Sequence, residues 1–76
     1  MTRRTTEQIV AQAGGRAKGI YQDARARGVG VKPALGLAYF YLTGVADGFV
    51  EAGRPADGPL VKQLRAEARE LWGDYL

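Results

Sequence analysis

The chain has 76 residues, a formal net charge of +3, a quarter of its residues charged, and neither cysteine nor histidine. Serine and asparagine are absent as well, which excludes a Cys/His zinc site, a disulfide framework and any nucleophile served by a histidine base. A single domain this short buries only about 60% of the surface its unfolded chain exposes, so tight helix packing or self-association must supply the rest of its stability.

The charge is unevenly spread. Residues 1–32 hold seven basic and two acidic side chains, net +5, and residues 33–76 hold four and six, net −2. The basic half suits nucleic acid or an acidic protein surface equally well.

Residues 1–5 form a short arm containing Arg3 and Arg4. Such an arm can neutralise phosphates or enter a minor groove, or it can simply be a solubilising terminus. Polar Thr5, Thr6, Glu7 and Gln8 follow the arginines, where a secretory signal would need an apolar core.

Thr5-x-x-Gln8 fits a capping box, which predicts a first helix over 6–27. Ile9, Val10, Ala13, Ala17, Ile20, Tyr21 and Ala24 then fall within an arc of about 120° at a helical period. Gly14 and Gly15 weaken this helix by about 2 kcal/mol relative to alanines. The stripe keeps its phase across them, so one continuous helix is favoured over two with a bend. Four basic residues of this helix, Arg16, Lys18, Arg25 and Arg27, are nucleic-acid candidates together with Arg3 and Arg4. Arg16 and Arg27 lie on one edge of the apolar stripe and Lys18 and Arg25 beyond the other, so they form no single ridge. Gly14 to Gly19 resembles a phosphate loop only in its glycines; the Gly-Lys-Ser/Thr ending and the preceding strand are missing.

Gly28 is a stop signal, and Pro33 suits the first turn of a second helix over 33–52, ended by Gly53. Residues 34–46 carry no charge, so this helix needs cover on more than one side. Leu35, Ala38, Leu42, Val45 and Phe49, flanked by Tyr39, Tyr41, Ala46 and Val50, make a core face. The opposite side carries Gly36, Leu37, Phe40, Gly44, Asp47, Gly48 and Glu51. Glycines inside a helix are costly and call for a reason. Gly44-x-x-x-Gly48 allows close approach of another backbone. Either Ala13 and Ala17 of the first helix fill that groove, or Leu37, Phe40, Gly44 and Gly48 form a contact surface for a second copy or another protein. Asp47 and Glu51, one turn apart, are too few oxygen ligands for calcium. Lys32 and Asp47 keep the charge-free run below the ~20 residues of a membrane span, and a soluble, cytoplasmic protein is expected.

Pro55 and Pro59 punctuate the second loop, with Asp57 a suitable N-cap for a third helix over 59–75. Gly53-Arg54-Pro55 lacks the flanking basic residues of a minor-groove hook, and the loop is too long for a helix-turn-helix. Leu60, Val61, Leu64, Ala68, Leu71, Trp72 and Tyr75 share one arc. Lys62, Arg65 and Arg69 project on one flank, and Glu67, Glu70 and Asp74 on the other. The basic flank is either a solvated face or a strip for phosphates or an acidic protein surface. Aromatics do not interleave with the basic residues as single-strand binding would want.

Tyr41-x-x-Gly44-Val45-Ala46-Asp47-Gly48, followed by a proline loop and a helix bearing Gln63-Leu64, resembles small immunity proteins that neutralise secreted amidase effectors. Those proteins are typically exported and cysteine-bearing, and this chain departs from them on both points. The resemblance implies a small inhibitory binder.

The expected architecture is all-α, a compact three-helix bundle forming one domain over 6–76, with the hydrophobic middle helix packed between the other two. The expected function is a non-enzymatic protein-binding module without cofactor or metal, acting as an inhibitor, immunity-type protein or adaptor and able to form a homodimer. Its candidate surface is Leu37, Phe40, Gly44 and Gly48 with Lys62, Arg65 and Arg69. The alternative is a small basic nucleic-acid-binding or regulatory protein using the arm and first helix.

Overall fold

A computed structural model describes residues 5–73. Arg3, Arg4, Asp74 and Tyr75 lie outside the described residues. Three helices follow in order, α1 (Thr6–Ala26), α2 (Val31–Glu51) and α3 (Pro59–Trp72). All three pack on one another, α2 extensively on both others and α1 less extensively on α3. This is the all-α bundle expected, with the hydrophobic helix at its centre.

Local chemistry sets most of the boundaries. The Thr5 hydroxyl accepts from the Gln8 N–H at 3.1 Å, and the Gln8 amide oxygen accepts from the Thr5 N–H at 2.9 Å. That reciprocal pair is the capping box, and it satisfies two of the free donors at the start of α1. α1 runs unbroken through Gly14 and Gly15 and ends one residue earlier than expected, at Ala26. Gly28, at φ +93°, and Gly53, at φ +103°, close α1 and α2. At each, two backbone bonds run back into the last turn: Gly28 N–H to Arg25 O and Val29 N–H to Ala24 O, then Gly53 N–H to Val50 O and Arg54 N–H to Phe49 O. This is the Schellman closure, which needs a left-handed residue and therefore glycine. The Arg54 guanidinium adds a contact over the Phe49 ring, 5.9 Å from its centroid.

Two helix starts differ from expectation. α2 begins at Val31 rather than Pro33, with Gly30 as N-cap and Ala34 N–H donating to Gly30 O at 3.0 Å. Pro33 is then the third helical residue, still within the first turn, where no N–H has an intrahelical partner to lose. α3 is capped by Gly58, not Asp57, and no side chain caps it. Pro59 is its first residue, with its fixed φ already helical.

One pattern recurs in the core on all three helices. Most of its buried members fall on rows four residues apart, Ala13 and Ala17 on α1, Ala38, Leu42 and Ala46 on α2, Leu60, Leu64, Ala68 and Trp72 on α3, with Val61 buried beside the last row. Such rows wind slowly round a helix and form the ridges that interlock with a neighbour's grooves. The winding accounts for one miss. Leu71 lies toward the Leu60 edge of the apolar arc of α3 and is 57% exposed, because the buried row has turned to the opposite edge, at Trp72, by that point. Small residues on α1 and α2 let these helices approach closely, and the volume comes from Leu42, Leu64 and Val61, all fully buried. Tyr21 of α1 meets Trp72 of α3 with ring centroids 5.4 Å apart.

α1 and α3 also meet at Gly14. A β-carbon there would lie 2.7 Å from the Glu67 Oε1. Burial pushes the Glu67 carboxyl above the ordinary glutamate range, with Glu70 adding to the rise. Its Oε2 is buried with no hydrogen-bond partner among the described residues.

Candidate functional site

The side of α2 turned away from α1 and α3 is open. Leu37 is 50% and Phe40 63% exposed. Gly44 and Gly48 are exposed too, and a β-carbon built on either meets no atom within 4 Å. The groove is therefore not filled by Ala13 and Ala17, which lie in the core instead. Gly36, expected on this side, is buried, so the open face begins at Leu37. The face continues through exposed Asp47 and Glu51. Phe40 is set against Tyr39 in an edge-to-face pair at 5.6 Å, and the Thr43 hydroxyl donates to the Phe40 carbonyl at 3.2 Å.

The basic flank of α3 is real geometry. Lys62, Arg65 and Arg69 line one shallow concavity with Ala56, Asp57 and Ala66. Arg65 reaches back to α2, with one guanidinium nitrogen 3.1 Å from the Asp47 carboxylate. That pair is solvent-exposed, which limits its worth to under about 1 kcal/mol. It also joins the two candidate surfaces: Asp47 stands on the open α2 face, and Arg65 on the basic strip. No spacing rule could have paired residues on different helices. Of the acidic flank, Glu67 and Glu70 line a separate depression with Gln63, Val10 and Leu71, and Asp74 lies outside the described residues.

The basic residues of α1 are dispersed. Arg16 borders a cleft with Ile9, Tyr41 and Phe49, while Lys18 borders another with Tyr21, Leu71 and Trp72. Arg27 pairs with Asp23 at 3.2 Å. Arg25 donates to the Val29 carbonyl at 3.0 Å, a bond that serves the end of its own helix. Among the described residues no cluster of three or more carboxylates could hold a metal ion, and no helix is long and apolar enough to cross a membrane.

No family model, curated protein or solved structure matches the chain. The short resemblance to immunity proteins around Gly44 and Gly48 gains no support from these comparisons.

Proposed function

We propose that this chain is a small non-enzymatic protein-binding module, of the inhibitor, immunity or adaptor kind, that acts by covering a partner's surface. One observation carries the reading: Leu37 and Phe40 stand at least half exposed on a helix whose same side then carries two bare glycines, Gly44 and Gly48. Large apolar side chains beside a shallow backbone groove are costly to leave in water and well shaped for contact. The concavity of Lys62, Arg65 and Arg69 adds a surface complementary to acidic groups, which favours fast and oriented encounter. The side-chain repertoire, without histidine, serine, asparagine or cysteine, supports binding rather than catalysis. The absence of cysteine fits a cytoplasmic setting.

Phe40→Asp tests the reading. The expected result is loss of association with helix content unchanged by circular dichroism, since Phe40 is 63% exposed. Unfolding of the isolated variant would instead make Phe40 part of the core. Titration of labelled duplex and single-stranded DNA at two salt concentrations tests the competing reading. Binding that weakens steeply with salt would favour it; none at low salt would remove it.

A further inference from the structure

We infer that the occupant of the open α2 face is a second copy of this chain, docked antiparallel about a two-fold axis. This rests on the reading of that face as a contact surface and names its partner.

A two-fold interface must be complementary to itself. The α2 face meets that condition because its knobs and its holes occupy opposite halves. Leu37 and Phe40 lie toward the N-terminal end, and Gly44 and Gly48 toward the C-terminal end. An axis crossing between Phe40 and Gly44 sets Phe40 of each copy against Gly44 of the other, and Leu37 against Gly48. Each large side chain then meets a position with no side chain and open space above it. A parallel pairing would set Phe40 on Phe40 and leave the glycines facing a gap.

Charge points the same way. α2 starts at Gly30 with no side-chain cap and no acid in its first turn, and Lys32 stands exposed there. The acids of the open face, Asp47 and Glu51, lie at its other end, where the helix dipole disfavours them. Reversing the second copy brings Glu51 to the free N–H groups of the partner's first turn. Asp47 stays with its own Arg65. The basic concavity on α3 remains open in both copies, so the dimer presents it twice.

A stable dimer removes about 800 Å² from each partner, roughly 15% of the 5233 Å² surface here. α2 has 21 residues and is about 31 Å long, against a longest molecular dimension of 39 Å. A contact along its whole length has the span that an interface of that size needs.

Sedimentation equilibrium of the purified chain, combined with directed crosslinking, tests the inference. The chain has no cysteine of its own, so introduced thiols report cleanly. The wild type should be a dimer, and both Phe40→Asp and Gly44→Leu should be folded monomers. Gly44→Leu fills a groove that is empty in the monomer, so it remains informative even if Phe40→Asp loses helix content. Mixing Leu37→Cys with Gly48→Cys under mild oxidation should give the mixed disulfide. Two copies of residue 37 would lie ~16 Å apart along the helix axis at 1.5 Å per residue. A wild type monomeric at about 1 mM, a millimolar Kd being the weak end of specific association, overturns the inference. So does a dimer that survives both substitutions, or a Leu37→Cys homodisulfide as main product. If the wild type is monomeric but Phe40→Asp abolishes capture of a different protein by the tagged chain, the second copy fails and the proposed function stands. If the dimer forms as described and no other protein is bound through either surface, the second copy stands and the occluding function fails.

Discussion

Gly14 on α1 and Gly44 and Gly48 on α2 each burden their helix to a similar degree, yet their surroundings differ. Above Gly14 lies the Glu67 carboxylate of α3, closer than any β-carbon would allow. Above Gly44 and Gly48 there is nothing within 4 Å. Small residues in a helix thus serve two ends in one small domain. One admits a neighbour from the same chain, and the other leaves a groove that no other described residue fills. Propensity cannot separate these cases, because the cost of a helical glycine is paid in the backbone whatever stands opposite.

Removing core volume gives the largest expected effect. Leu42→Ala, on the inner side of α2, should cost about 2–5 kcal/mol, read as a lowered denaturation midpoint. Leu37→Ala, on the outer side, should change monomer stability by less than about 0.5 kcal/mol. If the two cost the same, the distinction between inner and outer faces is wrong.

The glycines come next. Gly44→Ala and Gly48→Ala should each stabilise the monomer by about 1 kcal/mol, the propensity difference with no steric penalty. They should weaken self-association at the same time. On α1 the neighbouring pair splits. Gly15→Ala, with open space around it, should gain about the same 1 kcal/mol. Gly14→Ala should gain less, because the Glu67 carboxylate must swing aside. Equal gains at 14 and 15 would mean that the Glu67 contact is loose.

Glu67→Gln should have a smaller effect that depends on pH. The carboxyl is held above its ordinary range by burial and by Glu70, so folding favours its protonated form. Its contribution is fully present below the ordinary glutamate pKa and is lost as pH rises through the raised value. At neutral pH the ionised group costs stability, and Glu67→Gln should be the more stable by less than about 1 kcal/mol, since the group is only partly buried. The advantage should vanish near pH ~4, where the acid is itself protonated. Thermal melts of both proteins across pH 4–7 check this. The Arg65–Asp47 pair should give the smallest effect, a coupling of about 0.2–1 kcal/mol in a double-mutant cycle, falling with added salt.

Much of the fold was legible one residue at a time. Thr5 and Gln8 announced the start of α1, and Gly28 and Gly53 ended two helices at the only two positive-φ residues among those described. Where local signals compete, reading them singly fails. Asp57 is a better N-cap than Gly58 by residue type, yet the helix takes Gly58, because Pro59 suits the first position. Pro33 tolerates any place in the first turn, so it could not tell Val31 from Pro33 as the start of α2. For the candidate site, wheel arithmetic placed Leu37, Phe40, Gly44 and Gly48 on one side and Lys62, Arg65 and Arg69 on another. Both groupings hold in space.

Periodicity, caps and composition determined three helices, their approximate ends and two contrasting sides of α2, because these depend on residues within a few positions of one another. Tertiary structure alone decided which side of α2 stayed open, that Leu71 fell outside the core and that Arg65 closed on Asp47. Each depends on where a second helix lies and how its rows of side chains wind past the first, and that is settled only when all three helices pack together.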